Sequence, residues 1–221
     1  MLYRDFSSPP LSPCLIYVMD PMCSWCWAFA PALRELKTKL PSSIPCHTLL
    51  GGLAPDSTEP MPEAMQQQIK QIWQHIEGRT GAQFNYDFWT TNTPRRSTYN
   101  ACRAVIAAGE QLTDRSDEMI EAIQQGYYLN ANNPSDTEVL VGLAEAIGLN
   151  PAAYRDRLLS PATETLLQQH LSYKDALGIQ GFPCLLWFNG KTFEWLSQGY
   201  TEANQLLARM EGLGIGLMGS E

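Results

Sequence analysis

Short apolar runs predict β-strands near both ends of the chain. CLIYVM (14–19) is stopped by an Asp-Pro pair, and IPCHTLL (44–50) ends in two glycines. Such short bounded runs are typical of buried strands. Near the C-terminus, CLLWF (184–188) and TFEWLS (192–197) flank Asn189–Gly190. Because Asn-Gly favours a tight turn between strands, these two runs predict a hairpin.

A helical spacing follows the first predicted strand. Apolar residues recur every three or four positions, at Cys26, Phe29, Leu33, Leu36 and Leu40. This spacing predicts a helix with one buried face, which Pro31 should bend because it lacks a backbone N–H. Strand, helix and strand together predict a βαβ unit with a right-handed crossover.

Helical patterns dominate between residues 60 and 177. The first should end at Gly78, the second should run from a Ser97 cap to Gly109, and the third should be capped by Asp136. In the third helix the inward positions should be Val139, Leu140, Leu143 and Ile147. A last helix is expected from Thr201 to about Met210.

This order of elements predicts one small mixed α/β sheet interrupted by a helical insertion. We place the first domain in residues 1–52 and 174–221, and the helical insertion domain in residues 53–173. No internal repeat accompanies the pattern.

Composition and charge narrow the function classes. The 221 residues are 44% hydrophobic and 17% charged, with a net charge of −8, and the charges are scattered. This composition is typical of globular proteins and disfavours nucleic acid or an anionic membrane as the partner. The N-terminus lacks the pattern of a signal peptide, so we expect a cytoplasmic protein.

Cys23 and Cys26 are the strongest chemical signal. They lie three residues apart where a strand turns into a helix, and the free N–H groups there lower the pKa of a thiol. Cys26 begins the apolar stripe and should be more buried. An accessible thiol of low pKa beside a buried partner is typical of dithiol exchange. A zinc half-site with Cys46–His47 and an inert cysteine pair remain alternatives.

Other residues have two interpretations each. Pro183 precedes an apolar strand and is either an ordinary trans proline or a cis proline beside the cysteines. Asp20 could act on the thiols or only form a turn. Arg95–Arg96 could face the site or be a solvated pair. Cys184 could join the redox pair but is more typical of a buried core residue. Met22, Met61 and Met65 could line a substrate groove, although Met61 and Met65 are more typical of core residues.

Several segments resemble one known family. DPMCSWCWAFAPALREL (20–36) and GFP (181–183), with the helical block between them, are similar to the DsbA-like thioredoxin-fold family. The CSWCW motif after Asp-Pro resembles its cytosolic predicted protein-disulfide isomerase branch. HTLLGGL, STYNACRAVIAA and DTEVLVGLAEAIGL also resemble family segments, so the similarity covers most of the chain.

The resemblance implies roles for individual residues. Cys23 would be the nucleophile, Cys26 the resolving thiol, and Pro183 the cis-proline packed against them. The backbone of Phe182 would pair with an extended substrate, while Ser24 and Trp25 would tune the potential and contact substrate. Exported DsbA-type oxidants usually carry His within the motif, where this chain has Ser-Trp, so we expect a less oxidising pair.

We therefore expect a thiol–disulfide oxidoreductase of the protein-disulfide reductase or isomerase type. Its partners would be protein or small-molecule disulfides, with glutathione or a thioredoxin-type protein as reductant, and no metal or organic cofactor would be required. Two alternatives stay open. One is a glutathione-dependent transferase or isomerase of the kappa class, whose members usually carry Ser at the nucleophile position. The other is a non-enzymatic adaptor built on the same fold.

Overall fold

The computed structural model describes residues 6–112 and 115–218. Within them a four-stranded sheet is formed by β1 (Cys14–Met19), β2 (Cys46–Leu50), β3 (Cys184–Phe188) and β4 (Phe193–Gln198). The spatial order is β2-β1-β3-β4. β1 pairs parallel with β2 and antiparallel with β3, and β4 completes the antiparallel hairpin. The mixed sheet is therefore built from the two ends of the described chain.

The helices divide into two groups. α1 (Ser24–Lys39) crosses from β1 to β2, and α9 (Ala203–Gly212) follows β4 and contacts α1. Among the residues that the structure describes, seven helices lie between β2 and β3: α2 (Glu63–Thr80), α3 (Phe88–Thr91), α4 (Tyr99–Gln111), α5 (Arg115–Tyr128), α6 (Thr137–Ala146), α7 (Pro151–Leu158) and α8 (Pro161–Ala176). The sheet is therefore interrupted by a helical block, while the exact domain boundaries stay a prediction.

Alternation along the strands gives the sheet two apolar faces. Leu15, Tyr17 and Met19 point to the face covered by α1 and the larger core. Ile16 and Val18 belong to a smaller core on the opposite face, which includes residues near the end of α8. Because successive strand side chains alternate, β1 is buried on both faces and reads as a continuous apolar run.

The helical block has its own centre in α4. This helix contacts α5, α6, α7 and α8, and its residues from 100 to 109 are buried except Arg103. A second centre is Trp73, whose ring packs among Phe84, Tyr86, Phe88, Trp89, Tyr127 and Tyr128. These aromatic contacts fix α2 against α3 and α5, beside the site described below.

Two predicted helix ends were wrong. α2 continues through Gly78 and ends at Thr80, because Gly81 with φ 74° provides the left-handed position that closes a helix. α4 continues through Gly109 to Gln111. Its N-cap is Thr98 rather than Ser97, whose hydroxyl instead accepts the N–H of Ser57.

Further predictions about α6 and the last helix also differ in part from the structure. Asp136 does lie at the N-cap of α6, but its carboxylate pairs with Arg95 instead of capping the helix. Of the predicted inward positions of α6, Leu140 is buried and Leu143 and Ile147 pack partly buried against the core, whereas the buried Val141 and Ala144 were not predicted, since α6 packs against several helices. The last helix begins and ends two residues later than expected.

Candidate active site

Cys23 lies at the N-cap of α1, directly after the turn that follows β1. Its N–H donates to the carbonyl of Asp20 at 3.0 Å, and its own carbonyl accepts from the N–H groups of Cys26 and Trp27. Cys23 is 8% exposed, and its thiol donates to the carbonyl of Phe182, with 3.8 Å between sulfur and oxygen. The start of the helix thus holds Cys23 largely buried, beside the turn that contains Phe182.

The two cysteines of the motif have opposite electrostatic environments. The Cys26 thiol donates a hydrogen bond to the Cys23 sulfur, and this contact is the main reason that the pKa of Cys23 is lowered. Burial and the Asp20 charge oppose that shift without cancelling it. Burial is the main cause that raises the pKa of Cys26, which has no exposed surface. Cys23 is therefore the thiol that ionises first.

Asp20 is a wholly buried carboxylate beneath the motif. Its Oδ1 accepts from the N–H of Met22 at 2.8 Å. Its Oδ2 accepts from the N–H of Leu53 and the hydroxyl of Thr98, both at 2.6 Å, and from the thiol of Cys102 at 3.6 Å. Burial raises the pKa of Asp20 although these donors oppose the shift. Asp20 thus connects the turn before Cys23 to the helical block, which a simple turn residue would not do.

The turn before β3 faces the same sulfur. The Phe182–Pro183 peptide bond is cis, and the Phe182 carbonyl is the one that accepts from Cys23. The Phe182 ring lies over Gly51, where an added Cβ would come within 2.0 Å of two ring carbons. A glycine after β2 therefore allows the turn to approach the motif.

A pocket of about 330 Å³ opens beside Cys23, and we call it the Cys23 pocket. Its apolar and aromatic lining comes from Met22, Trp25, Leu53, Met61, Met65, Ile69, Ile72, Trp73, Tyr127 and Phe182. Its polar lining comes from Cys23, Ser24, Gln68, Arg95, Arg96 and Thr98. Cys23 therefore lies in the wall of a concave, mainly apolar surface.

Among residues 23–26 of the predicted motif, Cys26 alone does not line the Cys23 pocket. Ser24 and Trp25 line the pocket, and Trp25 also contacts the rings of His75 and Tyr200 and the guanidinium of Arg79. Trp25 is thus only partly exposed and braced on one side. The sulfur of Cys26 is buried behind Cys23, and Cys26 does not line the pocket.

Several other residues had two interpretations, and the structure shows their burial and contacts. Arg95 and Arg96 are partly buried and line the pocket, so the interpretation as a solvated pair is wrong. Met61 is buried in the core and also lines the pocket with Met22 and Met65. Cys184 is 4% exposed and its thiol donates to the carbonyl of Gly181 at 3.0 Å.

Sequence reasoning missed Thr98, Trp73 and Tyr127 as pocket residues. None follows a local motif, since each reaches the site through the packing of the helical block. The paired glycines at the end of β2 were a visible signal for a close backbone approach, but the partner ring could not be named. No group of three or more His, Cys, Asp or Glu side chains suited to a metal occurs in residues 6–112 and 115–218.

The sheet order, the cysteine pair at the start of α1 and the proline turn opposite it define a thioredoxin-fold protein with a helical insertion. A family model described as Thioredoxin matches residues 16–204, which is most of the chain. The protein belongs to this family. The fold class expected from the sequence, and its DsbA-like form, are confirmed.

Solved structures share this fold at low sequence identity. A provisionally assigned protein disulfide isomerase from Nitrosomonas europaea superposes with a TM-score of 0.80 and 24% identity, covering 91% of this chain and 98% of that one. The cytosolic disulfide reductase DsbM from Pseudomonas aeruginosa has a TM-score of 0.73 and 19% identity, covering 90% and 98%. DsbM has also been solved with GSH.

The chain is also similar to curated proteins that are described as adapters. The ClpXP adapter protein SpxH of Bacillus subtilis is 23% identical over 182 residues, which cover 81% of this chain and 60% of that protein. This chain therefore spans about 60% of the length of the curated relatives that it matches. Across the described residues, every helix is too short or too polar to cross a bilayer.

Proposed function

We propose that the protein is a thiol–disulfide oxidoreductase of the protein-disulfide reductase or isomerase type. The observation that carries the proposal is the asymmetry of the pair: Cys23 is partly accessible with a lowered pKa, and Cys26 is buried with a raised pKa. A thiolate is the attacking species in disulfide exchange, so the asymmetry assigns the first attack to Cys23.

The reaction then needs two exchanges. The Cys23 thiolate attacks one sulfur of a substrate disulfide, forms a mixed disulfide and releases the other substrate sulfur as a thiolate. That thiolate accepts a proton from Cys26, directly or through solvent. The Cys26 thiolate attacks the Cys23 sulfur and releases the second substrate thiolate. The substrate has gained two electrons, and the protein holds a Cys23–Cys26 disulfide.

The surroundings of Cys23 suit a peptide or a small disulfide. The N–H and carbonyl groups of an extended substrate segment could pair with the backbone of Phe182, beside Pro183. Ser24 and Trp25 would contact the substrate from the pocket wall. The Cys23–Phe182 contact supports this assignment, because it places the reactive sulfur beside the backbone that would hold the substrate.

A reductant must restore the dithiol after each turnover. Glutathione or a thioredoxin-type dithiol protein would supply two electrons, and the proposed chemistry requires no metal or organic cofactor. The name of the P. aeruginosa relative, a cytosolic reductase also solved with GSH, supports this choice and a cytoplasmic location. A kappa-class glutathione transferase role is less well supported, because Cys23 occupies the position where that class usually has Ser.

An adaptor role is the second candidate, and the similarity to SpxH favours it. Partner binding and thiol exchange are separable. An adaptor should retain partner binding when Cys23 and Cys26 are both Ser, whereas an oxidoreductase should lose all exchange activity. The double variant therefore distinguishes the two functions in a single preparation.

The reduction potential of the pair tests the proposal. The protein is equilibrated in glutathione buffers, quenched with acid, alkylated, and mapped by mass spectrometry. A potential near the thioredoxin value of about −270 mV would indicate a reductase, and about −120 to −180 mV would indicate an oxidant or isomerase. Absence of a Cys23–Cys26 disulfide at any buffer ratio would contradict the proposal, and zinc content would then be measured.

A further inference from the structure

Arg96 differs from the other arginines of the described residues. Six of them pair with a carboxylate: Arg34, Arg95, Arg103, Arg115, Arg155 and Arg157. Arg79 lies over the rings of Trp25 and Tyr200, and Arg209 donates to the carbonyl of Leu196. Arg96 is partly buried and has no carboxylate or carbonyl partner within residues 6–112 and 115–218. Its charge acts on the neutral phenol of Tyr127, where it opposes the burial that raises the pKa of Tyr127.

The position of Arg96 is fixed on both sides. On one side the N–H of Met61 donates to the carbonyl of Pro94 at 2.7 Å, and Pro60 pairs with Arg95 as an isolated bridge. On the other side the N–H of Thr98 donates to the carbonyl of Ala54, while the Thr98 hydroxyl accepts the N–H of Ala54 and donates to the Asp20 carboxylate. The backbone carbonyl of Asp20 also accepts the N–H of Cys23. Asp20 therefore links the backbone around Arg96 to the residue that carries the Cys23 thiol.

The Cys23 pocket offers Arg96 no anion of its own. Arg96 and Cys23 line the same cavity, and no Asp or Glu is among the lining residues. The neighbouring Arg95 is already neutralised by Asp136. The chain has a net charge of −8, and a buried charge is normally paired. An unpaired guanidinium inside an apolar pocket of this chain is therefore unusual.

Arg96 is not among the groups that chiefly set the pKa of the Cys23 thiol. The groups that chiefly set the pKa of Cys23 are Cys26, the local N–H groups and Asp20, together with burial. A guanidinium presents a planar fork of donors that matches a carboxylate in bidentate geometry. The remaining partner for Arg96 is therefore a group brought by the ligand.

We propose that Arg96 binds a carboxylate of the substrate, so that the preferred substrates are disulfides combining an anionic group with an apolar body. This inference rests on the proposed function and names the substrate class of the same site. The apolar wall formed by Met61, Met65 and Ile69 would contact the body, while Arg96 would orient the disulfide toward Cys23. Cationic disulfides would be disfavoured because nothing in the lining neutralises them.

Two matched aromatic disulfides test the inference. Dithiobis(nitrobenzoic acid) carries two carboxylates, and dithiodipyridine has a similar size without charge at neutral pH. The rate of the first exchange with reduced protein is measured for each probe, and the ratio of the anionic to the neutral rate is compared between variants. Arg96→Gln should lower that ratio about tenfold, as expected for the loss of a charge-assisted hydrogen bond.

Two further variants separate local binding from net charge. Lys191→Gln removes the same charge from the exposed β3–β4 turn and should leave the ratio unchanged. Arg96→Lys keeps the charge without the planar fork and should restore part of the ratio. Added salt should lower the ratio for the wild type and much less for Arg96→Gln.

The outcomes distinguish the two proposals. If both probes react at Cys23 but Arg96→Gln leaves the ratio unchanged, the assignment of Arg96 is overturned and the oxidoreductase function stands. If Lys191→Gln lowers the ratio equally, the preference comes from overall charge and the assignment also fails. If neither probe yields a Cys23–Cys26 disulfide in the wild-type protein, the proposed function itself fails.

Discussion

Two cavities flank α1, and their charges are arranged in opposite ways. The Cys23 pocket, of about 330 Å³, contains Trp25 and the unpaired Arg96. A second cavity of about 260 Å³, which we call the α1–α5 cleft, contains Trp27 and lies between those two helices. At its rim Arg34 pairs with Glu121 at 3.7 Å, and Lys37 pairs with Asp117 at 3.0 Å.

This difference supports the proposal that the Cys23 pocket, rather than the α1–α5 cleft, is the functional site. In the α1–α5 cleft the positive charges on one helix are neutralised by negative charges on the other, so the charged groups hold the two helices together. In the Cys23 pocket a cation and a thiol of lowered pKa remain unneutralised by any lining acid. Size alone does not separate the two cavities, whereas the unpaired polar groups do.

The largest effect should come from the cysteine pair. Cys23→Ser should reduce disulfide exchange by orders of magnitude, to the uncatalysed rate, because a serine hydroxyl does not ionise near neutral pH. Cys26→Ser should retain the first exchange and accumulate the mixed disulfide at Cys23. Turnover assays and intact-mass measurements check both variants. Full activity in Cys23→Ser would move the site away from this pocket.

The pocket should also fail when Phe182 is displaced. Gly51→Ala would place a Cβ at 2.0 Å from two carbons of the Phe182 ring, so the ring must move. Overpacking of this kind costs about 1–3 kcal/mol of unfolding free energy, which urea denaturation measures. Exchange at Cys23 should slow as well, since Phe182 adjoins its sulfur.

A matched glycine provides the control for this substitution. Gly142 lies in α6 with nothing within 4 Å of an added Cβ. Gly142→Ala should stabilise the protein by about 0.5–1 kcal/mol, because alanine loses less backbone entropy in a helix. Equal destabilisation by both substitutions would show that the Gly51–Phe182 approach has no special importance.

The support beneath the pocket should have a comparable effect on stability. Thr98→Val removes one donor to the buried Asp20 and leaves the N–H of Ala54 without its acceptor. Unsatisfied buried groups cost about 1–3 kcal/mol each, so the melting temperature should fall clearly. Thr165→Val is the control, since Thr165 is exposed, and should change the free energy by less than about 0.5 kcal/mol.

The smallest effect should come from the α1–α5 cleft. Lys37→Gln breaks the Lys37–Asp117 ion pair, whose side chains are 30% and 37% exposed. Partly exposed pairs contribute about 0–1 kcal/mol, so the change in unfolding free energy should lie in that range. Exchange at Cys23 should be unaffected. A large loss of exchange activity would mean that the cleft takes part in the reaction.

Local signals predicted much of the framework. The strands, the hairpin at Asn189–Gly190 and the helix that begins beside Cys23 depend on periodicity and turn chemistry, both visible in short windows. The proline before β3 was also visible, and in the structure the carbonyl of Phe182, the residue before Pro183, lies beside the Cys23 sulfur. These features together placed Cys23 and Cys26 at the start of a helix before their surroundings were known.

Long-range packing explains what the sequence did not reveal. The Thr98–Asp20 hydrogen bond joins residues 78 positions apart, and the ring of Phe182 reaches Gly51 across the fold. No local pattern encodes either contact, because each depends on how the helical block settles on the sheet. The helix end at Gly81 rather than Gly78 has a local origin, since two glycines lie close together and Gly81 is the one that takes the left-handed conformation.

The pH dependence of Cys23 alkylation tests the central claim most directly. The reduced protein is exposed briefly to iodoacetamide at a series of pH values, and each cysteine is mapped by mass spectrometry. Alkylation follows the thiolate, so it rises as pH increases through the pKa of each thiol. Cys23 should reach half of its maximal rate below the value of about 8.5 for a free cysteine, well before Cys26 reacts. Cys26→Ala should raise the Cys23 midpoint by removing the hydrogen bond that chiefly lowers it. Alkylation of Cys26 before Cys23, or a Cys23 midpoint at or above that of a free cysteine, would contradict the account.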